Sequence, residues 1–142
     1  MDATRNDLPA RQDSRQILIA ATLASIADIG LIRSSVSEIV ARAGLSRGMI
    51  HLHFQSKESL LAAAAEFAYY RYYNRLERHL QTADTAPQFR IEALILCDLS
   101  EDGLTESIVR TTHEFQAATR AYPMLAPFSA TRDGRLRTYF DR

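Results

Sequence analysis

The chain counts 142 residues, of which 46% are hydrophobic and 24% charged, with 17 basic side chains balancing 17 acidic ones. That composition excludes a disordered, collagen-like or low-complexity chain, and the length leaves room for one connected body rather than two independent globular domains. A net charge of zero excludes a protein that coats nucleic acid through a general basic surface, so any nucleic-acid role must come from a local face.

The opening residues, MDATRNDLPARQDSR, mix both charge signs and lack the apolar core of a secretory signal, so residues 1–14 are expected to form a flexible arm in a cytoplasmic protein. No run approaches the roughly 20 apolar residues of a membrane span, because the stretch from Leu60 to Ala65 is followed by Glu66 and Arg71. From Arg15 to Ile29, the residues Ile17, Ala20, Ala21, Ala24 and Ala27 recur at three- and four-residue steps, widened by Leu18 and Ile29. That spacing predicts an amphipathic helix, with Asp13 or Ser14 to cap its start and Gly30 to end it. Ser35-Val36-Ser37-Glu38 then reads as a capping box, in which the serine hydroxyl and the glutamate satisfy orphan amides. The helix it opens runs to about Ala43. Gly44-Leu45-Ser46 breaks that helix with a residue tolerant of left-handed angles, and Ser46 can cap the next one, Arg47 to Phe54.

After Gln55-Ser56 a long helix is predicted from Lys57 to around Leu80, with Leu60, Leu61, Ala64, Phe67, Ala68 and Leu76 as its apolar seam. Gln81 to Gln88 reads as a polar connection, Phe89 to Leu99 as a helix, and Asp102-Gly103 as a turn. A helix from about Thr105 to Ala121 is stopped by Tyr122-Pro123, and a last one starts near Leu125 and reaches the chain end. No strand pattern or internal repeat occurs, so the fold class is all-α. It comprises a three-helix helix-turn-helix head at residues 15–60, continuous with a second helical layer at 61–142.

Two short helices joined by a glycine turn suit DNA recognition, because the second can lie in the major groove while its inner side locks onto the scaffold. Ile50 and Phe54, four apart, are the inward pair. Arg47, Gly48, Met49, His51, Leu52 and His53 are left outward or flanking, and an arginine at this place can read guanine bidentately. Between Arg33 and Lys57 the basic residues Arg33, Arg42, Arg47 and Lys57 face a single acid, Glu38, a local excess hidden in the neutral total.

Gly30, Ser35, Ile39, Ala43-Gly44-Leu45-Ser46, Gly48, Ile50, His53-Phe54, Lys57 and Leu60 closely resemble the DNA-binding signature of the TetR family, over about Ile17 to Leu61. The resemblance implies that Arg47, Gly48, Met49 and Leu52 lie near bases, and Ser35, Ser37, His51, His53 and Lys57 near phosphates. It implies a transcriptional regulator that occupies double-stranded operator DNA as a homodimer, acts as a repressor, and is released by a small-molecule effector. One departure falls at His51, where the family usually carries tyrosine, so that a neutral or charged imidazole replaces a hydroxyl. Farther on, Glu114-Phe115, Tyr122-Pro123-Met124-Leu125, Arg132-Asp133 and Arg135-Leu136 are similar to the BetI-like subgroup. A second departure is length: the family's members usually reach about two hundred residues and close with two long helices of a dimer bundle, before which this sequence stops.

The resemblance implies an effector pocket in the later helices, for which Phe89, Cys97, His113, Phe115 and Tyr122 are the candidate linings, each of a type that also serves as core. Tyr69, Tyr70, Tyr72 and Tyr73 circle the long helix, so some are expected to pack and others to face solvent. Cys97 is the only cysteine, His51 and His53 point to different sides of their helix, and His79 and His113 lack ligands at metal spacing, so no metal or other cofactor is expected. No nucleophile elbow, phosphate-cradling glycine loop or paired carboxylate occurs, which points away from an enzyme. The rival reading is a helical ligand-binding or protein-interaction module that does not bind an operator.

Overall fold

The computed structural model describes residues 7–82, 86–99 and 104–130, among which there are helices and no strand. They form α1 (Asp7–Ile29), α2 (Val36–Ala43), α3 (Arg47–His53), α4 (Lys57–Thr82), α5 (Pro87–Leu99) and α6 (Leu104–Ala117), followed by 3-10 turns at Ala118–Arg120 and Pro123–Leu125. The chain divides into two compact units between Ala64 and Ala65.

In the first unit, α1 begins at Asp7, earlier than the periodicity predicts. Pro9 falls in its opening turn, where the amide that proline lacks would have no intrahelical partner, so the ring does not stop the helix. The helix ends at Gly30, whose φ of 82° is the left-handed value expected of it, with its N–H on the Ile26 carbonyl at 2.9 Å. The buried stripe of α1 differs from the one predicted. Leu18, Ile19, Ala21, Thr22, Ser25 and Ile26 are buried, whereas Ile17 is 43% exposed and Ala20 and Ala24 also face out. The stripe includes two hydroxyl residues because each is satisfied inside. Thr22 donates to the Leu18 carbonyl at 2.7 Å, and Ser25 shares a hydrogen bond with Ser34 at 2.9 Å, Ser34 also reaching the Gly30 carbonyl. A hydroxyl with a partner loses most of the penalty of burial, so Thr22 and Ser25 can occupy the packed face.

Half of the capping box forms. The Ser35 hydroxyl accepts the Glu38 amide at 3.2 Å, but the Ser35 N–H goes to the Arg33 carbonyl, and the Glu38 carboxylate turns to Arg42 one helical turn away. Gly44 closes α2 at φ 65°, and its N–H meets the Ala41 and Val40 carbonyls. Ser46 takes the extended backbone of an N-cap while its hydroxyl makes no capping bond. Ile39, Val40, Ile50, Phe54, Leu60 and Leu61 complete the core of this unit. The guanidinium of Arg15 lies over the Phe54 ring, 5.2 Å from its centroid.

Ser56 starts α4 by accepting the Ser59 amide at 3.1 Å. The helix supplies its first two turns to one unit and the rest to the other. Of its predicted seam, Phe67 is the exception: it is exposed, and the Arg71 guanidinium covers its ring at 5.6 Å. Among the four tyrosines, Tyr69 and Tyr73 are buried and Tyr70 is exposed, as their spacing around the helix requires.

In the second unit, the Tyr69 ring stacks on Tyr73 and Phe128, and its hydroxyl donates to the Thr112 carbonyl at 3.3 Å. Arg75 donates to the Cys97 carbonyl at 2.6 Å, tying α4 to α5. Helix α5 starts at Pro87 rather than Phe89, proline being well suited to a first turn. It buries Ala93 and Cys97, and leaves Phe89, Ile91, Ile95 and Leu96 exposed on its other side. The predicted Asp102-Gly103 turn and the end of the last helix lie outside the described residues, within which residues 126–130 are helical.

Candidate nucleic-acid interface

Helix α3 separates two sets of side chains. Ile50 and Phe54 are buried, at 3% and 5% exposure, and hold the helix on α1 and α2. Arg47, Gly48, His51 and Leu52 are exposed, and Met49 is half-buried. Leu52, 49% exposed, is a large apolar side chain that the first unit leaves in solvent. Gly48 adopts helical angles, and a Cβ built on it would meet only the Ser46 hydroxyl, at 3.7 Å. Neither backbone conformation nor packing within the chain therefore calls for glycine there.

The predicted phosphate set divides by what each side chain already does. Ser35 uses its hydroxyl oxygen to cap α2 and keeps its hydroxyl proton as a donor. The exposed Ser37 accepts a hydrogen bond from Nη2 of Arg47. His51 lies 3.2 Å through Nδ1 from the Gln55 carbonyl, an oxygen that can only accept, so Nδ1 carries the proton and Nε2 faces away from it. Gln55 reaches this position by a φ of 65°, past the end of α3. His53 is half-buried, and its Nε2 is buried without a hydrogen-bond partner, so any phosphate contact from this ring must come through Nδ1. Lys57 is half-buried at the start of α4.

Of the four basic residues counted over this region, Arg42 is committed inside the protein. Its Nη2 meets Asp28 at 2.9 Å and Glu38 at 3.1 Å, and the hydrogen bonds to these carboxylates, Asp28 foremost, hold the guanidinium above its ordinary range. Two acids of the protein therefore take up one of the four, Arg42. Asp28 stands 14 residues from Arg42, too far along the chain for helix spacing to reveal the pair. The Gln55 carbonyl that orients His51 and the idle hydroxyl of Ser46 likewise carry no signal in residue order.

The five candidates for an effector pocket do not share one environment. Cys97 and Phe115 are buried at 1% and 0% exposure, Phe89 and His113 face solvent, and Tyr122 is half-buried. Among the described residues no three His, Cys, Asp or Glu side chains group as a metal site, and no helix is long and apolar enough to cross a membrane.

Residues 18–64 match the family model for bacterial regulatory proteins of the tetR family. Over 123 residues the chain is 31% identical to the HTH-type transcriptional regulator BetI of Pectobacterium carotovorum, a match covering 86% of this chain and 63% of that protein. BetI of Yersinia pestis is similar at 27% identity, with 62% of its length covered, so the chain spans less than two thirds of these relatives. Among solved structures, a transcriptional regulator from Rhodococcus sp. Rha1 superposes with a TM-score of 0.77 at 26% identity, covering 87% of this chain and 65% of that one. A regulator from Streptomyces coelicolor gives 0.75 at 27% identity, covering 91% and 74%.

Proposed function

We propose that the chain, whose residues 18–64 match the model for bacterial regulatory proteins of the tetR family, is a regulator of that family that binds operator DNA through the outer side of α3 and regulates transcription there. The observation that carries this reading is the two-sidedness of α3, held by buried Ile50 and, just past its end, Phe54, while Arg47, Gly48 and Leu52 stand exposed. Inserted in a major groove, such a helix brings Arg47, Gly48, Met49 and Leu52 to base edges. Ser35, His51, His53 and Lys57 flank it where the sugar-phosphate backbone runs.

A homodimer would set two such heads over two half-sites of a palindrome, and an effector held by the second unit would act by changing their separation. The repressor sense, the effector and the dimer follow from the resemblance to the family, and Phe89, Cys97, His113, Phe115 and Tyr122 remain the residues proposed to meet the effector. No catalytic residue is part of this reading.

The test is binding to duplex DNA from upstream of the protein's own gene, titrated against salt and a scrambled duplex, with the mass of the complex measured on the same sample. A salt-sensitive, sequence-selective complex is expected. Arg47→Ala should then cost about 1 to 3 kcal/mol and relax preference at one base pair. A protein that binds neither duplex would leave the helical interaction module as the reading to pursue.

A further inference from the structure

The Arg47 guanidinium donates through Nη2 to the Ser37 hydroxyl, joining the first residue of α3 to the second residue of α2 across the glycine turn. Both residues are exposed, so the bond closes no core and shields no buried group. What it does is restrict a long side chain. A guanidinium reads guanine with two parallel N–H groups, which requires its plane to be set in advance, and an unattached arginine spreads over many rotamers.

The chemical character of the partner matters as much as its position. Glu38 stands beside Ser37 in the sequence, and a carboxylate is the stronger partner for a guanidinium. That carboxylate is held by Arg42, which Asp28 holds in turn. Arg47 is consequently fixed by a neutral oxygen, and its charge is not cancelled by an acid of the protein before DNA arrives. A bond to Ser37 occupies one hydrogen of Nη2 and leaves the remaining N–H groups of the fork for the groove.

We propose that Ser37 is a positioning residue for Arg47: it sets the guanidinium plane and governs base selectivity through it, rather than binding a phosphate itself. The proposal rests on the reading of α3 as the helix that enters the groove. It also gives the Asp28–Arg42–Glu38 cluster a purpose at the interface, as the device that keeps Glu38 away from Arg47.

The test compares the full chain with Ser37→Ala, Arg47→Ala and the double variant, on the operator and on duplexes changed one base pair at a time. Alanine is the better helix former, so Ser37→Ala keeps α2 intact. Its expected effect is a loss of discrimination of about three- to tenfold at the same base pair that Arg47→Ala relaxes, with other positions unmoved. In the Arg47→Ala background, Ser37→Ala should change nothing further; with Arg47 present, Ser37→Thr, which keeps the hydroxyl, should retain the selectivity that Ser37→Ala loses. In the free protein, 15N relaxation at Arg47 Nε should show greater mobility once Ser37 is alanine.

Uniform weakening on every duplex by Ser37→Ala, persisting in the Arg47→Ala background, would show a direct phosphate contact and overturn the proposal while leaving operator binding intact. Unchanged Arg47 mobility in the free protein would overturn it as well. If the unmodified protein shows no sequence preference, the reading of α3 falls and the proposal falls with it.

Discussion

Replacing Gly48 by alanine should move stability and DNA binding in opposite directions. Glycine inside a helix is less favourable than alanine by about 0.5 to 1 kcal/mol, because its backbone loses more freedom on folding. At Gly48 nothing in the chain offsets that cost: the angles are helical, and the added methyl meets only the Ser46 hydroxyl at 3.7 Å, an ordinary contact. Gly48→Ala should therefore raise the melting temperature, by roughly 1 to 4 °C for a chain of this size. On DNA the same methyl stands on the outer side of α3, two positions from buried Ile50. If the backbone there approaches base edges too closely for a Cβ, the helix must back away from the groove, and operator affinity should fall at least about tenfold, a loss of about 1.4 kcal/mol. Thermal melting followed by circular dichroism, together with fluorescence anisotropy on a labelled operator, reads both effects on one preparation. A lowered melting temperature would mean that the fold itself needs the glycine. A raised one with unchanged affinity would mean that α3 never comes close to DNA at this residue. Either result refutes the reasoning.

Gly44 is the matched control: its φ of 65° is strained for any residue with a Cβ although the space around it is open, so Gly44→Ala should destabilise by about 1 kcal/mol and lower the melting temperature. For His51, the Gln55 carbonyl takes the Nδ1 proton, so a neutral ring offers a phosphate only the lone pair of Nε2, whereas a protonated ring offers an N–H. His51→Tyr, which supplies a hydroxyl donor in place of that lone pair, should raise operator affinity in the same anisotropy titration, and an unchanged or lowered affinity would show that this side chain does not meet a phosphate. The salt dependence of affinity should separate two cations that composition treats alike. Lys57→Ala should weaken all duplexes alike and reduce the slope of log K against log salt by about one. Arg42→Ala should leave the slope as it is, because Asp28 and Glu38 already neutralise that guanidinium; a drop equal to that of Lys57→Ala would place Arg42 on a phosphate.

How much of this protein could be read in residue order follows the range of the interactions concerned. Gly30 and Gly44 take the left-handed angles that end α1 and α2, and Ser35 caps α2, because each of these depends on a few neighbouring backbone groups. The inward pair Ile50 and Phe54 was legible for the same reason, four residues being one turn of helix. The register of α1 was not. Thr22 and Ser25 pack where Ala20 and Ala24 were expected, and only their partners, the Leu18 carbonyl and the Ser34 hydroxyl, make hydroxyls acceptable there. Nor could order along the chain tell which charges the protein takes up itself, since Asp28, on another helix, pairs with Arg42 alongside Glu38. By itself the sequence determined the helices, the glycine stops of α1 and α2 and the type of residue exposed on α3, all consequences of local backbone geometry and helical period. Only the tertiary structure decided which of those residues are already engaged, because hydrogen bonds and ion pairs are chosen by distance in space, and folding brings together groups that the chain keeps apart.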